Sequence, residues 1–241
     1  MRAIVREEAQ QAAQLHRLRA QLERMQGRRL EAAMLPVPPM LAELLPDGGL
    51  RAGCAYALAP SAGSSGLLLS LLARPTCAGS WCATVGMPDL GAEAAVGHGV
   101  VLDRLVLVPE PGPRWVAVAA TLAEVMTIVA VRPGGRATDA EASRLQARLR
   151  DRGAALIVQG DWPRAEAVLE ISDPRWSGLG RGHGRLAERE VTVSVRSRRS
   201  AAPRRARMLL PGPMGSLAGA GAGREPGVAP VPLPAPLRAV G

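Results

Sequence analysis

The segment Ser61–Gly66 is a loop of small residues whose spacing favours phosphate binding. It follows the apolar run Cys54–Ala59, which predicts a strand, and precedes a Leu-rich run over 67–73, which predicts a buried helix. A strand, a tight loop and a helix N-terminus together present backbone N–H groups to an anion. The sequence therefore has the layout of a phosphate-binding loop.

Phosphoryl transfer at such a loop requires two particular side chains. A Lys contacts the terminal phosphates, and a Ser or Thr hydroxyl binds Mg²⁺. If Ser61 begins the loop and Gly63 is the glycine before the Lys position, Ser64 occupies that position and Ser65 retains the hydroxyl. All 30 basic residues of the chain are Arg, so no register can supply the Lys.

Other catalytic and metal-binding patterns are missing from the sequence. Cys54, Cys77 and Cys82 have no metal-ligand spacing, and the chain has only 3 His. No Ser-His-Asp, Cys-His or paired-carboxylate arrangement stands out. We therefore predict that the chain is not an enzyme and has neither a cofactor nor a bound metal.

The elements that position the loop alternate between strand and helix from residue 54 to residue 159. This alternation predicts an α/β fold with a mostly parallel sheet, followed by antiparallel edge strands. The 241 residues divide into four predicted segments. These are an N-terminal docking helix (1–35), the α/β core (36–166), antiparallel edge strands with an Arg-rich end (167–210) and a disordered tail (211–241).

The net charge of +9 is concentrated at the two ends of the chain, around an acidic body. Such a distribution indicates a folded core with basic interaction arms. The N-terminal helix carries a short apolar seam suited to docking, formed by Leu15, Leu18, Leu22 and Met25. There is no secretion signal or membrane-spanning run, so we expect a cytoplasmic protein without membrane contact.

The C-terminal basic cluster is the densest run of charge and is expected to contact DNA or an acidic partner. A solvated hairpin around the glycines at 180–184 is the alternative interpretation of its first members. Trp115, Trp162 and Trp176 are expected to be core fillers or interface anchors. The cluster consists of Arg181, Arg185, Arg196, Arg198, Arg199, Arg204, Arg205 and Arg207.

An ordered set of segments resembles the core of RecA. The Gly-Gly-Leu turn in Leu45–Gly53 resembles the entry to that core, and Ser61–Ala73 resembles its phosphate loop and helix. Further along, Gly79–Val85, Gly99–Leu105 and Thr127–Arg132 resemble the following strands in the same order. The likeness covers residues 36–160 and implies a RecA-like P-loop core.

The resemblance also implies that the catalytic positions are degenerate. The position of the phosphate-binding Lys holds Ser64, and the position of the water-activating glutamate holds Pro88, with Asp89 next to it. The Walker B aspartate position holds Arg132, a cation where a carboxylate normally helps to hold Mg²⁺. A pseudo-ATPase is the expectation, and an anion held by Arg132 and the loop amides without metal is the alternative.

A narrower resemblance is carried by Gln159–Pro163 and Arg175–Arg185, which are similar to segments of actinobacterial ImuA-type proteins. Membership would imply a non-catalytic scaffold in SOS-induced, mutagenic translesion synthesis during DNA repair. The implied partners are an ImuB-type Y-family polymerase homologue and an error-prone C-family polymerase, with RecA and DNA as further candidates. Nucleoid association after DNA damage would follow. Residual ATP binding with slow hydrolysis, and a DNA-binding regulator of recombination, remain alternative functions.

Overall fold

The computed structural model describes residues 33–179, 184–212 and 217–219. The docking seam of Leu15, Leu18, Leu22 and Met25 lies outside these residues, as does Arg181. Predictions made for those positions therefore stay predictions.

The described chain contains eleven strands and five α-helices. The strands are β1 (Met34–Leu35), β2 (Leu50–Arg51), β3 (Ala55–Leu58), β4 (Cys82–Val85), β5 (Leu105–Val108), β6 (Ile128–Val131), β7 (Ala155–Gln159), β8 (Ala167–Leu179), β9 (Gly184–Ser197), β10 (Arg204–Leu209) and β11 (Ala218–Gly219). The helices are α1 (Pro39–Ala42), α2 (Ser64–Cys77), α3 (Ala92–Gly97), α4 (Trp115–Leu122) and α5 (Asp139–Arg152). No described helix is long and apolar enough to cross a membrane.

Nine of these strands form one sheet, in the order β11-β10-β9-β8-β3-β7-β6-β4-β5. From β8 to β5 in that order, each strand runs parallel to the next. Parallel neighbours require crossover connections, and α2, α3, α4 and α5 lie in the connections between β3 and β7. The predicted α/β fold, with a mostly parallel sheet and antiparallel edge strands, is confirmed.

Alternate residues of the central strands pack into two separate hydrophobic layers, one on each face of the sheet. Tyr56 and Leu58 contribute to the layer that contains the leucines of α2. Their neighbours Ala55 and Ala57 contribute to the other layer, which contains Trp115 and the apolar face of α5. Because both faces are covered, these strands are apolar at every position rather than at alternate positions.

The antiparallel edge consists of a long β8–β9 hairpin that continues into β10. Its pairing shifts register between Ser172 and Arg175, where Asp173 has a φ of 51°. Such an extra residue bends the strand and increases its twist. The hairpin begins in the parallel sheet, where β8 pairs with β3. Its second strand, β9, therefore lies close to the loop that follows β3.

Two segment boundaries differ from those predicted. Met34 and Leu35 pair with β2 and belong to the core, although they were assigned to the docking helix. Ala218 and Gly219 pair with β10, although the tail was expected to be disordered from residue 211. A side chain at Gly219 would meet the Met40 thioether at 3.6 Å, so this tail segment lies against α1 and was not recognisable from its Gly-Ala composition.

Candidate functional site

The small-residue loop lies at the carboxyl end of β3, and α2 begins directly after it at Ser64. Gly63 takes a left-handed conformation with φ 102° and ψ 3° at the helix N-cap. A residue with a Cβ would be strained there. Ser61 and Gly63 lie in the loop as predicted. The helix begins at Ser64 rather than at Leu67, so Ser64 and Ser65 are its first two residues and not loop residues as expected.

Both helix-initiating serines face the amide of Gln159, the last residue of β7. Gln159 Nε2 donates to Ser64 Oγ at 3.3 Å and to Ser65 Oγ at 3.2 Å. The contact follows from the sheet order, because β7 is the immediate neighbour of β3 and Gln159 pairs with Leu58. The hydroxyl that binds Mg²⁺ in a working P-loop is therefore engaged by a protein amide.

Arg132 continues this network from the end of β6. Its Nε donates to Gln159 Oε1 at 2.9 Å, and its Nη1 forms an ion pair with Asp89. The hydrogen bond from Arg132 is the main reason why the pKa of the Asp89 carboxyl is lowered. Pro88 is an exposed residue of the same loop and makes no part of the network. Its neighbour Asp89 is the acid that reaches the site.

The network crosses the carboxyl ends of four adjacent strands in the order β3, β7, β6 and the loop after β4. We call it the strand-end network; its members are Ser64, Ser65, Gln159, Arg132 and Asp89. Gln159 is the centre of the network, because both its Nε2 and its Oε1 are hydrogen-bonded to other members. Gln159 was noted in the sequence only as part of a motif, and its bridging role depends on sheet order.

A second internal contact covers the loop from the antiparallel edge. Arg189 of β9 is only 8% exposed, and a Cβ at Gly63 would overlap its guanidinium. Its Nε donates to the Leu210 carbonyl at 2.6 Å, and its Nη1 donates to the Ala62 carbonyl at 3.4 Å. The guanidinium carbon also lies 5.4 Å from the centre of the Trp176 ring.

Burial lowers the pKa of Arg189, because the charged form loses hydration. Carbonyl oxygens and an aromatic face compensate for part of that loss. Arg189 was not among the residues predicted from the sequence. The alternation of residues along β9 could have indicated it, because Arg189 lies on the same inward-facing side of the strand as the buried Val191, Val193 and Val195. A charged residue in an apolar register is a candidate for a specific buried contact.

Trp115 and Trp162 pack against each other beside the strand-end network. Their ring centres are 6.3 Å apart, with an interplanar angle of 65°, and the residues are 4% and 8% exposed. A cavity of about 630 Å³ lies between these rings, Gln159 and the loop after β6. Both tryptophans are therefore core residues in this structure, whereas Trp176 serves as a platform for Arg189.

The predicted basic cluster is divided between different surroundings. Arg199 forms ion pairs with Asp47 at 2.9 Å and Glu166 at 2.7 Å. Arg204 donates to the carbonyls of Glu43 and Leu45, both at 3.3 Å, just after α1. These two arginines attach the antiparallel edge to the core.

The other described members of the cluster lie elsewhere on the antiparallel edge. Arg196, Arg205 and Arg207 are exposed, and strand alternation places them on the face opposite the buried valines of β9. Arg207 lies 3.7 Å from the carboxylate of Glu190 on that face. Arg198 lines a separate cavity. Arg185 is the second residue of β9. The described part of the chain holds no group of three or more His, Cys, Asp or Glu side chains suited to a metal ion.

Comparison with solved structures supports the fold. The chain is similar to the RadB recombinase, with a TM-score of 0.56 and 16% sequence identity. The superposed region covers 74% of this chain and 96% of the recombinase. At that identity the likeness establishes a RecA/RadB-like architecture alone.

Sequence comparison identifies closer relatives. The protein Rv3395c of Mycobacterium tuberculosis (strain ATCC 25618 / H37Rv), described as uncharacterized, is 46% identical over 102 residues. That match covers 42% of this chain and spans 50% of the length of the relative. The family described as the MT3502 N-terminal domain matches residues 43–164, slightly more than half of the chain, which include the loop and the strand-end network. The chain therefore belongs to the MT3502 N-terminal domain family.

Proposed function

We propose that this protein is a non-catalytic, RecA-like scaffold that acts in DNA-damage-induced translesion synthesis. The RecA-like fold supports the architectural part of the proposal. The resemblance to ImuA-type proteins, carried by Gln159–Pro163 and Arg175–Arg185, supports the biological part. On this proposal the fold is retained for its binding surfaces.

The observation that carries the non-catalytic part is the strand-end network. Phosphoryl transfer needs a cation on the phosphates and a hydroxyl and carboxylate arranged around Mg²⁺. Here Ser64 and Ser65 are bonded to Gln159, and the Asp89 carboxylate is paired with Arg132. To bind Asp89, a divalent cation would have to displace the Arg132 guanidinium, and the positive charge of Arg132 would repel the cation.

Calorimetric titration of the full chain with ATP, with and without Mg²⁺, tests this part. We expect no Mg²⁺-dependent binding with a Kd below about 1 mM. Titration of Mg²⁺ alone provides the control heats. A Mg²⁺-dependent Kd in the submillimolar range would contradict the proposal and favour the alternative of a slow ATPase with a rearranged site.

The partner-binding part of the proposal is that the N-terminal seam binds an ImuB-type Y-family polymerase homologue. That homologue would in turn recruit the error-prone C-family polymerase. We expect the double substitution Leu18→Glu with Leu22→Glu to weaken co-purification with the ImuB-type protein at least about tenfold, because two apolar anchors are lost. The change leaves the described core untouched.

The matched control for this substitution is Ala13→Glu with Ala20→Glu, which adds the same charge away from the seam in a helical projection. It should leave co-purification unchanged. Equal affinity of the seam variant and the unmodified chain would remove the docking role from this segment.

One observation favours a second candidate function, a DNA-binding regulator of recombination. Arg196 and Arg205 are exposed on one face of the antiparallel edge, together with Arg207. Arginine suits phosphate contacts, which weaken as salt concentration rises. Gel-shift measurements across a salt series favour this function only if the affinity survives at about 0.15 M salt.

A further inference from the structure

A cavity of about 440 Å³ lies at the amino end of β3, the opposite end of that strand from the small-residue loop. One wall is α5, from Asp139 in its first turn to Arg150 in its last. The other walls are the start of β3 at Cys54 and the segment between β7 and β8. The cavity has the volume of a small-ligand site, and its lining is divided almost evenly between polar and apolar surface. It is separate from the strand-end network.

Three arginines from three different parts of the chain line this cavity. Arg150 comes from the last turn of α5, and Arg198 follows β9. Arg164 comes from the loop before β8, where its φ is 62°, a conformation that is uncommon for residues other than glycine. Within the described residues, none of the three forms an ion pair, whereas Arg132, Arg148, Arg199 and Arg207 each pair with a carboxylate.

The two acidic residues of the lining do not cancel this charge. Glu166 Oε1 lies 2.7 Å from Arg199 Nε, so its charge is already paired outside the cavity. Asp139 keeps its negative charge in the first turn of α5, where the helix dipole favours a carboxylate, and offsets only one of the three arginines. The cavity therefore keeps an excess of positive charge that is available to a ligand.

The lining also decides between the two common kinds of anion. Gln146 lines the cavity and donates its Nε2 to the Gly53 carbonyl at 2.7 Å, which leaves its Oε1 available as an acceptor. Asp139 adds carboxylate acceptors. A peptide offers backbone N–H donors to these acceptors and apolar atoms to Ala55, Ala142 and Pro163 of the lining, in addition to carboxylates. A phosphate group offers neither N–H donors nor apolar atoms.

We propose that this cavity binds a short acidic peptide segment of a partner protein, with Arg150, Arg164 and Arg198 holding its carboxylates. The planar fork of each guanidinium can bind one carboxylate through two parallel hydrogen bonds. Gln146 and Asp139 accept hydrogen bonds from the peptide backbone. The site stands independently of the proposed function, because it does not involve the seam or the small-residue loop.

Cys54 offers a local probe, because its half-buried thiol is part of the cavity wall. Cys77 is exposed and would react first, so the test uses the full chain with Cys77→Ser. Cys82 is buried, and burial raises the pKa of its thiol to about 12, which keeps it unreactive. Burial, followed by the nearby Glu166, also raises the pKa of Cys54, so alkylation is followed by mass spectrometry at about pH 8.5.

The probe is a terminally blocked hexapeptide of alternating Glu and Ser, with the Gln and Ser version as its neutral match. At about 1 mM of the Glu peptide and about 0.15 M salt, alkylation of Cys54 should slow at least about twofold. The Gln peptide should have no effect. An unchanged alkylation rate with the Glu peptide overturns the proposal, as does equal or stronger protection by pyrophosphate, which would make the cavity a phosphate site.

Substitutions assign the protection to the three arginines. The triple change Arg150→Gln, Arg164→Gln and Arg198→Gln should weaken binding of the Glu peptide at least about tenfold. Arg164→Gln alone should weaken it about threefold or more and serves if the triple variant is poorly folded. The control Arg196→Gln with Arg205→Gln removes charge from the open face of the antiparallel edge. Equal weakening by this control overturns the proposal, because the peptide would then be responding to net charge.

Discussion

Gly86→Ala should lower the free energy of unfolding by about 3–4 kcal/mol. Gly86 follows β4 with a φ of 77°, a conformation that costs an L-residue about 1–2 kcal/mol. An added Cβ would also overlap the backbone carbonyl oxygen of Arg132, which cannot swing away as a side-chain end could. Arg132 is fixed by pairing of its own amide to the Val85 carbonyl at 2.9 Å, so relief requires a backbone shift at the end of β6.

Gly79→Ala is the matched control for this prediction. Gly79 has a similar φ of 84°, but a Cβ built on it meets nothing within 4 Å. Its cost should therefore be limited to the conformational term, about 1–2 kcal/mol. Urea unfolding of the two variants and the unmodified chain gives both values. If the two variants lose the same stability, the close approach of Gly86 to Arg132 has no energetic weight.

Gly86→Ala also reports on the strand-end network. A shift of the Arg132 backbone should lengthen the contact between Arg132 Nε and Gln159 Oε1, which is now 2.9 Å. Gly86 and Gly63 are both positions where the absence of a Cβ allows a residue of the candidate site to approach closely. Arg132 approaches Gly86, and Arg189 approaches Gly63. In both cases the neighbour is an arginine from a distant part of the chain.

The features that could be predicted from the sequence are those encoded by local pattern. Alternation of apolar runs with helical segments predicted the parallel core, because strands covered on both faces must be apolar throughout. The small-residue loop and the buried helix after it were predicted for a similar reason, since small residues before a Leu-rich run favour a tight turn into a buried helix. The boundary between them was not, because α2 begins at Ser64 and not at the predicted Leu67. The positions of Ser64 and Arg132 in the site follow from these two results.

The features that could not be predicted depend on which strands become neighbours. Gln159 meets Ser64 only because β7 inserts between β3 and β6, and the two residues are 95 positions apart in the chain. Arg189 meets Ala62 across 127 positions, by way of the β8–β9 hairpin. The full length of β8 could not be predicted, because Arg175–Leu179 lacks the apolar alternation that indicates a strand.

The division of the C-terminal arginines has the same origin. A run of six arginines from 196 to 207 has uniform charge in the sequence, but strand pairing distributes the side chains over two faces and a turn. Arg204 and Arg205 are adjacent, yet Arg204 faces the carbonyls after α1 while Arg205 lies opposite Ser194 on the open face. Charge density alone therefore overestimates the basic surface that is available to DNA or to a partner.

Trp162→Ala should lower the free energy of unfolding by about 3–5 kcal/mol. Trp162 is 8% exposed and packs edge-on against Trp115, so its removal leaves a large cavity in the layer beside α5. The aromatic contact itself contributes about 0.5–1.5 kcal/mol of this loss. Because Trp162 lies three residues after Gln159, the substitution should also loosen the loop that holds the strand-end network in place.

Trp81→Ala is the matched control, because the same side chain is removed from a position where it is 43% exposed. The guanidinium carbon of Arg104 lies 5.2 Å from the centre of the Trp81 ring. Much less apolar area is lost to water there, so the cost should be about 1 kcal/mol. Urea unfolding followed by far-UV circular dichroism measures both variants without relying on tryptophan emission. Hydrogen exchange at the Gln159 amide should accelerate in Trp162→Ala and stay unchanged in Trp81→Ala. Exchange that is unchanged in both variants would show that the Trp115–Trp162 pair stabilises the core without supporting the strand-end network.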